Sequence, residues 1–304
     1  MYYFLPIAEI EINILIILLS GLFVGFLSGL FGVGGGFLMT PILIFLGIPP
    51  ATAVATESTQ ILGSSVSGAT AHGRKNNIDY EIGIFLLVGG IFGSSLGVVF
   101  FKFMRESGNI DLIISIMYII FLAIIGILMF VESALSLFKD SEIKKRTRKK
   151  RNFLDSLPLK LKFKRSKIYK SILLPIIIGS FVGILSALMG VGGGFVMVPA
   201  MIYLLKMSTV TAIGTSLFQI VFVTANVTIL QATYNQSVDL ILAIFLLIGG
   251  VIGAQIGSRY TSRFKGEQLR ILLASVVIIV CFKMSFDLAR EPLMNSRIII
   301  QEMN

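Results

Sequence analysis

Charge is what this chain has least of. Only 14% of its 304 residues are Asp, Glu, Lys or Arg, against 55% hydrophobic residues, and tryptophan is absent. That is too little polar side chain to clothe a soluble globule of this length, so an integral membrane protein is expected. The single cysteine, Cys281, excludes an internal disulfide. There is no GxxxxGK[ST] nucleotide loop, no Cys/His ligand cluster and no pair of acids at catalytic spacing. The chain is therefore expected to be no enzyme, to hold no cofactor and no metal, and to drive nothing with ATP by itself.

A basic start is also missing. Glu9 and Glu11 precede the first apolar run, which is read as a retained span and not as a cleaved leader. The net charge of +10 suggests a nucleic-acid partner only until it is located. Between Lys139 and Lys170 stand 14 basic and 3 acidic residues, a local +11 that leaves −1 for all the rest. One basic segment between apolar runs reads as a cytoplasmic connector, with anionic lipid as a second partner and no nucleic acid.

What the chain does have is a duplication. GLFVGFLSGLFGVGGGFLMTP at Gly21–Pro41 returns 158 residues later as GSFVGILSALMGVGGGFVMVP at Gly179–Pro199. Ala51–Ile61 matches Val210–Ile220, and IFLLVGGIFG at Ile84–Gly93 matches IFLLIGGVIG at Ile244–Gly253. Each half holds five apolar stretches, most near the ~20 residues that cross a bilayer as helix. The expected fold is an all-α polytopic membrane protein: a first transmembrane repeat over 1–138, a basic linker over 139–170 and a second repeat over 171–304. With the linker inside and the Lys- and Arg-free start outside, each half crosses an odd number of times, which makes the repeats inverted. Lys102 and Arg105 then fall outside, paired with Glu106 and Asp111. Counting the short runs after GVGGG as re-entrant instead gives four spans per half and a +11 segment outside.

Three groups of residues carry the functional reading. Glycines four apart, at Gly89, Gly93 and Gly97 and at Gly249, Gly253 and Gly257, let helix backbones approach and are read as packing. The consecutive glycines of GVGGG cannot share one helical face. Where a helix starts after such a break, its first amides lack intrahelical partners and carry a partial positive charge of ~0.5, which an anion satisfies without a buried Lys or Arg. The bland alternative is a tight turn between helices. Third, Thr56, Gln60, Gly63 and Ser67, with Thr215, Gln219, Phe222 and Asn226 at matching places, form a polar seam that lines a cavity or bonds a neighbouring helix. Gln60 and Gln219 are taken as substrate-binding candidates. Glu57, an acid inside an apolar stretch where the second copy has Ser216, is a candidate for coupling to a proton or cation.

The doubled glycine-rich span leading into GVGGGF, with Pro five residues after the last Gly, then A-x-x-T ending at Thr56 and Thr215 and a later N-x-x-D turn, resembles the sulfite exporter TauE/SafE family, also called toluenesulfonate uptake permeases. The resemblance spans both halves and leaves out the linker. It implies a multi-pass transporter of the cell membrane, the inner membrane in a Gram-negative source. Its implied cargo is small sulfur-containing anions such as sulfite, sulfoacetate, thiosulfate or sulfonates. It further implies substrate contacts at Gly34, Gly35, Gly36 and Thr56, and at Gly192, Gly193, Gly194 and Thr215. Glu57 departs from the small polar residue expected at its position. A secondary transporter working by alternating access is the leading reading; a non-transporting sensor or assembly component acting through its basic linker, and an ion channel, are the alternatives.

Topology is tested by cysteine labelling in intact cells. A cysteine at Ser156 in the linker is expected to resist an impermeant thiol reagent applied outside, and one at Asn235 to react; labelling of the linker from outside overturns the odd-crossing arrangement.

Overall fold

A computed structural model describes residues 2–31, 36–138, 160–163, 165–166, 168–260 and 266–302. In chain order these form β1 (Tyr2–Leu5), β2 (Ile10–Asn13), α1 (Ile14–Phe31), α2 (Gly36–Phe45), α3 (Pro50–Arg74), α4 (Tyr80–Glu106) and α5 (Ile110–Phe138). The second half follows as β3 (Lys160–Phe163), β4 (Ile168–Ser171), α6 (Leu173–Met189), α7 (Gly194–Tyr203), α8 (Thr209–Leu230), α9 (Leu240–Tyr260) and α10 (Gly266–Glu302). Among the described residues, five segments are long and apolar enough to cross a bilayer: Tyr80–Glu106, Ile110–Leu128, Thr209–Asn235, Leu240–Gly257 and Leu272–Arg290. The chain is an all-α polytopic membrane protein.

The chain folds as two compact units. One comprises Met1–Ile110 with Lys144–Ser262, the other Asp111–Ile143 with Arg263–Asn304. In the second unit, α5 and α10 meet at Gly126, where an added methyl would lie 3.0 Å from Ile278 Cγ1. There Lys283 pairs with Asp287 at 2.7 Å, one turn apart and half exposed, a contact of small energy.

The first unit interlocks the two sequence halves reciprocally. Helix α1 packs on α9 and α6 packs on α4, while α3 and α8 pack on each other between them. The four-spaced glycines make the outer pairs possible. A methyl on Gly93 would overlap the Ser180 carbonyl of α6, and one on Gly253 would overlap the Leu22 carbonyl of α1. Both obstacles are backbone, so the helices approach as closely as small residues allow.

Helix α3 is long, at 25 residues, yet its polar residues keep it below the hydropathy of the lipid-facing helices. Burial explains the difference: apart from a partly buried Thr59, the stretch Ala51–Ile61 is enclosed by protein. Helices α2 and α7, at 10 residues each, rise only about 15 Å, half the ~30 Å hydrocarbon thickness.

Two antiparallel hairpins extend the duplication. Tyr2 pairs with Asn13 through Leu5 with Ile10, and Lys160 with Ser171 through Phe163 with Ile168, the same register 158 residues on. At the matched position of each, Leu5 and Phe163 are fully buried. Thus part of the basic segment is folded against the second copy, whereas its stretch 139–159 lies outside the described residues. Arg105 departs from the expected acidic pairing: its guanidinium donates to the Asn235 carbonyl and, at 2.8 Å, to Ser237 Oγ, while Lys102 stands 4.0 Å from Glu106.

Asn235 is buried and donates to Gln231, so the external label belongs on the neighbouring Tyr234, which is 66% exposed. Packing is tested at Gly93→Ala, expected to lower unfolding stability in detergent by about 1–3 kcal/mol because neither backbone can move aside. Val99→Ala, at a lipid-exposed position, is expected to leave it near wild type; equal thermal stability of both overturns the close-approach reading.

Candidate glycine-break site

The second GVGGG is a true interruption of helix. Gly190 closes α6 at φ +67°, and Gly192 and Gly193 follow at +68° and +78°. These are left-handed conformations that a β-carbon disfavours, which is why the string must be glycine. Gly193 caps α7, its carbonyl accepting from Val196 N at 3.2 Å and Met197 N at 2.8 Å. Residues 190–195 are all buried, so the positive end of α7 points into protein. In the first copy Gly34 and Gly35 lie outside the described residues. Gly36 opens α2, as Gly194 opens α7.

The residues that follow the first break meet the second. Phe37 and Phe195, equivalent in the duplication, stack with ring centroids 4.6 Å apart at 28°. A methyl on Gly36 would stand 2.9 Å from the Val191 carbonyl and 3.1 Å from Glu57 Oε1. On the second break, a methyl on Gly192 would stand 2.6 Å from Ile61 Cγ2 and 3.5 Å from Ile220 Cγ2. Those isoleucines directly follow Gln60 and Gln219, so the start of the polar seam is brought to the glycine breaks.

Only the start of the seam is enclosed beside the breaks. Gln60 and Gln219 are buried, and neither amide atom of Gln219 has a hydrogen-bond partner. Further along, Gly63 receives the Leu247 side chain, Ser67 and Phe222 are exposed, and Asn226 donates to Ser94 Oγ at 2.9 Å and Ser95 Oγ at 3.1 Å. A straight helix rotates a long stripe out of one enclosure, and lipid or a neighbouring helix takes the remainder.

Thr56 and Thr215 have defined partners. Thr56 Oγ1 accepts from the amide of Asp239 at 3.0 Å, and Thr215 Oγ1 from the amide of Asp79 at 2.9 Å. Each Asp caps its helix, Asp79 toward Ile82 N and Asp239 toward Leu242 N. With its other oxygen each holds the hairpin turn of the opposite half, Asp79 at Ser166 and Asp239 at Ile7. The threonines are thus fixed by cross-half bonds.

Three participants escape sequence reasoning. Gly90 and Gly250, the second glycines of the GG pairs, seat the glutamines: a methyl on Gly90 would lie 2.5 Å from Gln219 Nε2, and one on Gly250 would overlap Gln60 Nε2. The doublets themselves are the signal, because four-residue spacing accounts for only one glycine of each. Thr40, on α2, donates to Glu57 Oε2, with both side chains fully buried. Nothing in the sequence singles it out, since its counterpart is Val198.

Long apolar helices packed around two half-length ones define a multi-pass membrane protein. The sulfite exporter TauE/SafE family profile matches residues 17–284, and the chain belongs to that family. It is 32% identical over 271 residues to "Probable membrane transporter protein YjnA" of Bacillus subtilis, covering 88% of this chain and 98% of that one. A "Probable membrane transporter protein" of Xylella fastidiosa is 28% identical over 82% of this chain and 85% of its own length. "Sulfite exporter TauE/SafE family protein 6" of Arabidopsis thaliana is 34% identical over 113 residues, 35% of this chain and 26% of its own. No solved structure matches. The protein is a membrane transporter of the cell membrane and not an enzyme.

The cross-half bonds are tested at Thr56. Thr56→Val leaves the buried Asp239 amide unpaired and is expected to cost about 1–3 kcal/mol of unfolding stability in detergent, with Thr56→Ser restoring most of it. Unchanged stability in Thr56→Val overturns this role.

Proposed function

We propose that the protein is a secondary transporter of small sulfur-containing oxyanions, with the anion held between the two glycine breaks. The observation that carries this reading is Gln219, fully buried with neither amide atom paired, beside a break that abuts its counterpart through Phe37 and Phe195. An unpaired buried amide costs about 1–3 kcal/mol, which a bound oxyanion offsets by accepting from its NH₂ group. Glycine amides and the positive ends of α2 and α7 supply the remaining attraction without a buried cation. On this reading Gly34, Gly35 and Gly36 act with Gly192, Gly193 and Gly194, and Gln60, seated against Gly250, acts with Gln219, seated against Gly90. Thr56 and Thr215 hold the α3 and α8 segments that carry the glutamines.

The reciprocal packing of α1 on α9 and α6 on α4 supports two repeats inverted about an axis in the membrane plane. Alternating access then consists of one repeat rocking on the other around a fixed site. Family membership favours sulfite, sulfoacetate, thiosulfate or sulfonates as cargo.

Binding is read by anion-induced thermal shift in detergent, and flux by counterflow in proteoliposomes, across those four anions. Gln60→Leu and Gln219→Leu keep bulk and remove the hydrogen-bonding groups, and each is expected to weaken affinity roughly 5- to 150-fold. Wild-type affinity in both, with folding intact, moves the site away from the breaks.

A further inference from the structure

Glu57 is unlike anything else near the breaks. Its side chain is fully buried, Oε2 accepts from Thr40 Oγ1, and Oε1 has no partner. That unpaired oxygen points at Gly36, the first residue of α2, where an added methyl would come within 3.1 Å of it. A carboxylate buried without a cation is costly in any low-dielectric setting, and an oxyanion brought beside it adds like-charge repulsion.

Among the described residues, the helices packed against α3 bring no basic side chain near Glu57. The helices packed against α3 are α2, α6, α8 and α9. Helices α2, α6 and α8 contain no Asp, Glu, Lys, Arg or His, and neither does the break at 32–35 or that at 190–193. Helix α7 has no titratable group before Tyr203 at its last position, and α9 has only Arg259 and Tyr260 at its end. On α3 itself the next titratable groups are His72 and Arg74, about 22 Å or more along the axis. Two other buried carboxylates stand nearby, Asp239, whose amide donates to Thr56, and Asp79, whose amide donates to Thr215, but both accept helix-cap and hairpin N–H bonds. Glu57 Oε1 has no such partner, and a proton removes the carboxylate's charge without further ligands.

We propose that Glu57, oriented by Thr40, is a proton-binding site whose occupancy is required for the anion to load, which makes this carrier a proton–anion symporter. This rests on the oxyanion reading of the same site. The proton adds to the carboxylate from the side on which the anion enters, the neutral acid and the anion cross together, and the proton leaves to solvent with anion release. The second half supplies the contrast: Val198 and Ser216 stand where Thr40 and Glu57 do in the first, so a single proton site serves the pair of repeats.

The test uses the full chain in proteoliposomes with thiosulfate, a probe whose charge is constant between pH 6 and 8, and a pH-sensitive dye inside. Wild type is expected to accumulate thiosulfate when the outside is acidic, to carry protons inward with it, and to lose affinity by up to about tenfold per pH unit as the medium becomes alkaline. Glu57→Gln, a fixed neutral isostere, is expected to keep thiosulfate exchange with pH-independent affinity and to lose gradient-driven accumulation. The double variant Thr40→Val with Glu57→Ser reproduces the pair already housed in the second half and is expected to behave alike. Accumulation in Glu57→Gln driven by the pH gradient, accumulation in wild type driven by sodium and not by protons, or pH-independent wild-type affinity each overturns the proposal. The wild-type readouts decide the matter if a variant fails to fold. Absence of flux for every sulfur anion tested removes the carrier reading and the symport with it; flux without pH linkage removes the symport alone.

Discussion

Backbone can be broken at membrane depth only where protein encloses it, because lipid offers no partner to a bare N–H or C=O. Much of this structure follows from meeting that constraint. The left-handed glycines at 190–193 are buried under α3 and α6, with Val54, Ile61 and Val182 lining the space that side chains would need. Around α3 and α8, α1 packs on α9 and α4 on α6 backbone against backbone, which the four-spaced glycines permit. Enclosure also accounts for α3 tolerating Thr, Gln and Glu along one stretch, since those groups meet protein and not acyl chains.

The enclosure is closed at its ends by hydrogen bonds that run between halves. Asp79 and Asp239 each cap a helix, receive an opposite hairpin and engage an opposite threonine. A buried carboxylate that accepts several N–H bonds is well satisfied, and each bond is short-ranged enough to define which turn meets which helix. Each Asp caps a helix of its own half while its second oxygen and its amide are engaged by the other, so the caps tie the two halves together.

Much of the helical order was legible because membrane helices must be long and apolar, and because duplication repeated GVGGG and IFLL-GG-G almost letter for letter. The hairpins were not legible. Tyr2–Asn13 and Lys160–Ser171 share register but hardly a residue, because the buried position they share, Leu5 or Phe163, accepts different apolar side chains. The glutamines were read from identical placement in both halves, whereas the glycines that seat them were hidden inside a packing motif. Where the seam stays beside the breaks was not legible for a geometric reason: a helical stripe predicted from spacing alone has no end, while an enclosure does. Thr40 was invisible because its meaning lies in a tertiary contact with Glu57 that its counterpart Val198 does not make.

The difference between Thr40 with Glu57 and Val198 with Ser216 bears on why two copies are joined in one chain. A carrier assembled from two separate, identical half-length polypeptides would hold two buried acids or none, since symmetry copies every substitution. Gene fusion lifts that restriction. Once the halves are covalently linked, one can acquire an ionisable group while the other keeps a neutral residue, so the two lineages of the repeat are free to divide labour that a homodimer would have to duplicate.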